Sequence, residues 1–491
     1  MGVSPVKLNL LPVSSLKTKT VKGVMWSSVD RFLTQGIQFV FSILIARLLL
    51  PSDYGVVAML SIFLAISQTF VDSGFSTALV RKLDRTDADF STVFYFNIVV
   101  GLFFYLVLWL ASPYIAAFYG TPLLEDVTKV VALTLVFSSF SGVQNAKLSI
   151  AINFKTGAKV SVTVTLLSGA LGLWMAYRGY GVWALVAQSV SSSLLRTVLL
   201  WFFVRWMPKL VFSWRSFREM FSFGSKLLAS RLLDTVYNNV YTLVIGRCFS
   251  SSTLGVYSRA DGLAQYPSSN ITSVLQGVTF PVLCSIQNEP ERLADIYKRF
   301  LRLSAFVVFP LMVGLAAVAD PLIRLLLTDR WEGAIYLLQI VCFAMMWYPI
   351  HAINLNLLQV KGRSDFFLKL EVIKKIQGVI VLCATIPLGI VAMCYGRIFG
   401  SLLSLVWNTY YTRKLIGYGY WAQMRDLLHI LVHALVMGVI VWGVVQWTGP
   451  LWLQLVAGIV AGAIYYTVGA YLLRFDELRE LVALVRKKRN N

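Results

Sequence analysis

Apolar runs bounded by charge, proline or glycine recur along the chain from residue 24 to residue 473. A membrane span needs about 20 mainly apolar residues. On that measure the pattern predicts fourteen spans, near 24–50, 55–75, 90–112, 124–147, 159–177, 180–203, 222–247, 254–282, 303–327, 334–358, 376–395, 397–413, 427–447 and 450–473. Spans 1, 7 and 8 are the least apolar. Two connectors, Trp206 to Phe221 and Glu289 to Leu303, are longer and amphipathic and are expected to lie along the membrane surface.

The least apolar spans owe this to polar residues at helical spacing. Span 1 carries Arg31, Gln35, Gln38 and Ser42 on one face. Span 7 carries Arg231, Thr235, Asn238 and Thr242 at the matching positions. Span 8 carries Asp261, Gln265, Ser268 and Thr272, and span 2 carries Ser61, Gln68 and Asp72. Ionisable residues are costly in a membrane and usually face a bundle interior or a watery cavity. Two readings stand: hydrogen bonds that hold helices together, or a hydrated central cavity. Arg31, Arg231 and Arg259 would make such a cavity suited to phosphate, because a guanidinium forks onto phosphate oxygens. Asp30, Asp72, Asp234 and Asp261 either offset that charge or titrate, coupling transport to H+ or Na+. Arg47 and Arg247, at the ends of their spans, read as arginines snorkelling to the interface.

The stripes match because the chain repeats itself. Arg31 to Val56 aligns without a gap on Arg231 to Val256, with Arg31/Arg231, Arg47/Arg247, Ser52/Ser252 and Gly55/Gly255 among the identities. The offset carries span 1 onto span 7, so both copies enter the membrane in the same direction. Parallel copies are related by an axis along the membrane normal and are found in transporters that rock two halves about a central site. The expected organisation is an N-terminal segment 1–23, a six-helix lobe 24–204, a linker 205–221, a second six-helix lobe 222–415, two extra helices within 416–473, and a basic tail 474–491.

Charge then orients the chain. The formal net charge is +21, and most of the 44 Lys and Arg fall in the N-terminal segment, the connectors after even-numbered spans, and the tail. Connectors on the other side hold mainly Arg178, Arg247, Arg330 and Arg397. Positive residues stay cytoplasmic, so both termini are expected in the cytoplasm, in the cytoplasmic (inner) membrane. The same distribution sets aside nucleic acid as a partner, despite the net charge. The N-terminal lysines flank only a short apolar patch, so no cleavable signal is expected.

Cysteine and histidine add little chemistry. Cys248, Cys284, Cys342, Cys383 and Cys394 are scattered, odd in number and without CxxC spacing. His429 and His433 are four apart, and they read as packing residues rather than metal ligands. No cofactor and no metal is expected. Pro267, Pro310, Pro349 and Pro387 are expected to kink their helices.

Gly23-Val-Met-Trp26, Ile45-Ala-Arg47, Leu50-Pro-Ser-Asp-Tyr-Gly55, Asp72-Ser-Gly-Phe75, Ala78-Leu-Val-Arg81, Tyr180-Gly-Val-Trp-Ala-Leu185, Trp331 with Ala334, and Lys361-Gly-Arg-Ser-Asp365 together resemble the polysaccharide transporter family of the multidrug/oligosaccharidyl-lipid/polysaccharide (MOP) flippase superfamily. The resemblance implies an all-α integral membrane protein of about fourteen helices in two six-helix lobes. It also implies alternating access and, as cargo, an undecaprenyl-diphosphate-linked oligosaccharide repeat unit moved from the inner to the outer leaflet for surface polysaccharide biosynthesis. Such a protein is not an enzyme, and its partners are that lipid-linked oligosaccharide and the membrane lipids. The acidic and basic residues on helix 1 and the arginine on helix 8 of the lipid II flippases in the superfamily have loose counterparts in Asp30-Arg31 and Arg259. The expected cargo contacts are Arg31, Gln35, Gln38, Arg231, Asn238, Arg259 and Gln265. Two other functions compete. A cation-coupled exporter of small amphiphiles should centre on a carboxylate rather than on arginines. A membrane polymerase or glycosyltransferase should carry a sizeable loop for its chemistry, and every outer connector here is short.

Overall fold

The computed structural model describes residues 13–489 apart from Ser73 and Thr448. Lys7 lies outside the described residues, as do the side chains of Lys17, Lys19, Lys22 and Arg486 to Arg489. The described residues fold into helices joined by short turns, with no strand among them. Nine helical segments among them are long and apolar enough to cross a membrane. The chain is an all-α, multi-pass membrane protein. Contacts divide it into two compact units, Met1–Gly255 and Val256–Asn491.

The first unit holds α1 (Val13–Leu48), α2 (Pro51–Asp72), α3 (Phe75–Arg81), α4 (Asp87–Tyr119), α5 (Leu123–Val131), α6 (Leu133–Ile150), α7 (Phe154–Tyr177), α8 (Val182–Val204) and α9 (Trp214–Cys248). Here α1 packs on α7, α7 on α8, α4 on α6, and α2 on α9. The start of α4 is specified locally: Thr86 and Asp89 form a reciprocal capping box, each side chain taking the other's backbone N–H. Its end is a left-handed Gly120, φ 65°, the usual way to stop a helix and satisfy its last carbonyls. Beside the start of α4 a cluster forms around Phe75, Leu79, Phe94 and Met220.

The next helix, α10 (Ser251–Ser285), runs from the end of the first unit into the second. The second unit continues with α11 (Pro290–Ala317), α12 (Ala319–Leu327), α13 (Gly333–Met345), α14 (Tyr348–Val360), α15 (Ser364–Thr385), α16 (Ile390–Ile416), α17 (Tyr420–Trp447), α18 (Leu451–Leu472) and α19 (Asp476–Arg489). Its core runs through α11, which packs on α13 and α17, and through the fully buried Trp331.

Several boundaries differ from the sequence pattern, each for a visible reason. Of the amphipathic stretches expected to lie flat, Glu289 to Leu303 forms the first turns of α11, which begins at Pro290, while only the second half of Trp206 to Phe221 is helical, in α9 from Trp214. In α11 the apolar face is turned inward, with Leu293, Tyr297 and Leu301 fully buried, whereas Leu210, Trp214 and Phe221 of the first stretch stay exposed. Pro387 does not kink a helix but ends one. It sits in the tight turn Ile386–Leu388, followed by Gly389 at φ 94°. The eleventh span therefore stops near Thr385, and Arg397, expected in an outer connector, lies well inside α16. Pro349 interrupts the span Gly333–Val360: α13 ends at Met345 and α14 opens at Tyr348, with Met346 and Trp347 between them still in the right-handed helical region, while Pro267 and Pro310 stay within α10 and α11. The tail expected after Leu473 is mostly the helix α19. Its Glu477, 4% exposed, lies 3.5 Å from Arg302. His433 packs against the Tyr465 and Tyr466 rings.

Candidate functional site

The α1 stripe is open to its surroundings. Arg31 and Gln38 are exposed, and Gln35 and Ser42 are half-buried. Asp30, one residue before Arg31, accepts a 3.0 Å hydrogen bond from the Thr34 hydroxyl one turn on. A threonine four residues beyond a carboxylate can do this because i and i+4 share a helix face.

The stripes of α2 and α9 meet within the first unit. The Thr69 and Thr235 hydroxyls are 3.1 Å apart. Gln68 donates to Asp72 at 3.0 Å and accepts from the Ser138 hydroxyl at 3.0 Å. Arg231, exposed on α9, lies close enough to Asp72 for a Coulombic attraction between them. Asp72 thus has both a hydrogen-bond donor and a cation beside it. Asn238 and Asp234 are exposed on the same helix. Hydrogen-bonded polar pairs hold membrane helices together, so Thr69 and Thr235 serve packing. Arg231, Asn238 and Asp234 stay outward enough to meet a ligand.

In the second unit the guanidinium of Arg259 stacks over the ring of Trp331, 5.6 Å from its centre. Gln265 is exposed. Asp261 is the surprise. Nη1 of Arg397 donates to its carboxylate at 2.5 Å and to the Tyr257 hydroxyl at 2.7 Å. The side chains of Arg397 and Asp261 are only 16% and 28% exposed. Neither Arg397 nor Tyr257 stood out as a site residue in the sequence. Tyr257 and Asp261 share a face at i, i+4 spacing, which could have drawn notice. Nothing local to Arg397 points to a partner so far away in the chain. Arg47 and Arg247 are both exposed, and Arg247 lies 5.3 Å from the Phe118 ring centre, in keeping with interfacial positions.

Residues 44–336 match the model of a family described as "Polysaccharide biosynthesis protein". The chain is 25% identical to the teichuronic acid biosynthesis protein TuaB of Bacillus subtilis (strain 168), covering 92% of this chain and 95% of that one. It is also 25% identical to the succinoglycan biosynthesis transport protein ExoT of Rhizobium meliloti (strain 1021), covering 98% of both. Its fold resembles that of the lipid II flippase MurJ in an inward closed conformation, with a TM-score of 0.75 at 13% identity over 92% of this chain and 99% of that one. The chain belongs to the polysaccharide biosynthesis protein family.

Proposed function

We propose that the protein carries a lipid-linked oligosaccharide, an undecaprenyl-diphosphate-linked repeat unit, from the inner to the outer leaflet of the cytoplasmic membrane by alternating access. Both termini then lie in the cytoplasm, and the cargo leaves chemically unchanged. The observation that carries this reading is the placement of arginines on polar helix faces within a membrane protein of this family. Arg31 on α1 and Arg231 on α9 are exposed, and an arginine within a span is too costly to be incidental. A diphosphate is the ligand that offsets such charge best, through forked hydrogen bonds. Gln35, Gln38, Asn238, Arg259 and Gln265 are the further cargo contacts, suited to sugar hydroxyls as well as to phosphate. The relatives named for teichuronic acid and succinoglycan biosynthesis support a glycan cargo.

The drug-exporter alternative needs a carboxylate available to a coupling cation. Asp261, the best candidate on α10, is instead held by Arg397, which counts against that alternative. Asp30, Asp72 and Asp234 are the remaining coupling candidates, with H+ or Na+ as the ion.

The test is deletion of the gene with the cargo traced by leaflet. Lipid-linked oligosaccharide should accumulate on the inner leaflet and return to normal on complementation. Normal glycan export in the deletion strain, with efflux of small amphiphiles lost, would replace this reading with the exporter.

A further inference from the structure

Arg397 lies seven residues into α16 and Asp261 ten residues into α10, about 10 and 15 Å along their helices at the usual rise. Neither end of either helix explains them as interfacial residues. The pair is an ion bridge between two helices of the second unit, in which Nη1 of Arg397 reaches a carboxylate oxygen of Asp261 and the Tyr257 hydroxyl. Two facts bear on its role. Replacing a buried ion pair by apolar residues is often neutral or stabilising, so such a pair is weak evidence for a stability device. And the pair is not sealed, since the Asp261 side chain keeps more than a quarter of its surface, which leaves an approach for another anion.

We propose that Arg397 is an anion-binding residue of the transport cycle and that Asp261 is its resting partner, displaced when the diphosphate of the cargo arrives. In this arrangement the arginine is never stranded in the membrane, because it passes from one anion to another. A single carboxylate oxygen gives way to phosphate oxygens that can take the guanidinium as a fork. Tyr257 keeps the guanidinium aimed while its partner changes, so it is a positioning residue. Asp261 is then a competitor of the cargo rather than a cation site. This rests on the reading above that the cargo carries a diphosphate.

Exchange and a static lock predict opposite signs for one substitution. Under exchange, Asp261→Asn removes the competitor and should tighten anion binding, while Arg397→Gln should weaken it. Under a lock, both should weaken it. The probe is farnesyl diphosphate, titrated against the purified full-length protein in detergent, with farnesol and inorganic phosphate as separate arms. Wild type should bind the diphosphate well above farnesol. Asp261→Asn should bind it at least threefold tighter, and Arg397→Gln about tenfold weaker. If Asp261→Asn cannot be recovered, the double variant Asp261→Asn/Arg397→Gln, which strands no charge, carries the test and should bind about tenfold weaker than wild type. Unchanged or weaker binding by Asp261→Asn, or wild-type binding by the double variant, overturns the exchange while leaving the diphosphate cargo intact. Wild type binding farnesol as well as farnesyl diphosphate removes the diphosphate reading and the exchange with it.

Discussion

Gly55 and Gly255, matching positions of the internal repeat, each face the first turn of the other's helix: a side chain on Gly55 would overlap the Ser251 carbonyl, and one on Gly255 the Pro51 carbonyl. Pro51 and Ser251 are themselves matching positions, so the contact is reciprocal. The starts of α2 and α10 thus pack backbone on backbone. Small residues allow such an approach between membrane helices, where dispersion and polar contacts replace the hydrophobic effect. In the proposed orientation these are the outer ends of the two helices.

Alanine at either glycine should therefore force α2 and α10 apart. Overpacking costs about 1–3 kcal/mol, and here the obstruction is backbone, which cannot rotate away. Gly55→Ala and Gly255→Ala should each lower the thermal unfolding midpoint in detergent and reduce glycan export, by similar amounts because the contact is reciprocal. Gly36, with nothing within 4 Å of an added Cβ, is the control, and alanine there should be neutral or slightly stabilising. A wild-type midpoint for both variants would mean that the contact contributes nothing to holding these ends together.

The start of α4 offers a test of folding without cargo. Asp89 is 1% exposed, takes part in the capping box with Thr86, and bridges to Lys82 at 3.1 Å. Lys82 also reaches Glu219 on α9 at 3.1 Å. Burial pulls the Lys82 pKa down, but its hydrogen bonds to Asp89 and Glu219 outweigh this and hold it above the usual lysine range. A raised folded-state pKa means that the bridge contributes fully at neutral pH, and that its contribution is lost as pH rises past the ordinary lysine value of about 10.4 and through the higher folded one. Thr86→Ala should cost about 1 kcal/mol, as cap removal does. Asp89→Ala should cost more, because it removes the cap and strips Lys82 of one of two carboxylates. Equal midpoints for the two variants would show that the bridge is inert.

How far these features were legible depended on whether their partners lay close in sequence. The α1 and α9 stripes could be read because Arg31 to Ser42 and Arg231 to Thr242 follow one helical face. The capping box was readable in principle from Thr86 and Asp89, three apart. Arg397 was not. A charge in an apolar run resembles a connector until its counter-charge is found, and Asp261 lies on another helix. The error was compounded at Pro387, where a tight turn with Gly389 at positive φ ends α15 and shifts the helix boundary. The stretch from Glu289 to Leu303 was misread as a surface segment for a related reason. Amphipathic character marks a helix with two environments, and it does not distinguish a surface helix from the first turns of a longer buried one.

Topology can be checked at single connector positions. Arg178, which follows α7, and Arg330, between α12 and α13, are exposed and belong to connectors proposed to face outward. A cysteine at either, in a protein otherwise lacking cysteine, should react with an impermeant thiol reagent in intact spheroplasts. A cysteine at Lys361, between α14 and α15, should react only after lysis. Labelling of all three in intact cells, or the reverse pattern, would overturn the orientation.

The arginines of the stripes provide the decisive test of the transport reading. An arginine at mid-membrane costs about 2.5–3.5 kcal/mol on insertion scales, so its removal should leave assembly intact or improve it unless the residue is locked to a buried anion. Loss of a charged hydrogen bond to cargo should by contrast weaken binding by about 1.5–3 kcal/mol, roughly tenfold or more. Arg31→Gln and Arg231→Gln should thus reach the membrane near wild-type amounts yet fail to restore glycan export in the deletion strain. Arg31→Lys should retain part of the activity, since it keeps the charge and loses the fork. The neighbour of Arg231 makes the alternative testable as well. If Arg231 serves mainly to neutralise Asp72, Arg231→Gln should be lost from the membrane, and adding Asp72→Asn should restore its abundance. Export should return with it, because no charge is left stranded. If it serves the cargo, the double variant should be abundant and still inactive. Normal export by both single Gln variants would remove the arginines from the transport path and leave the stripes as interhelical contacts.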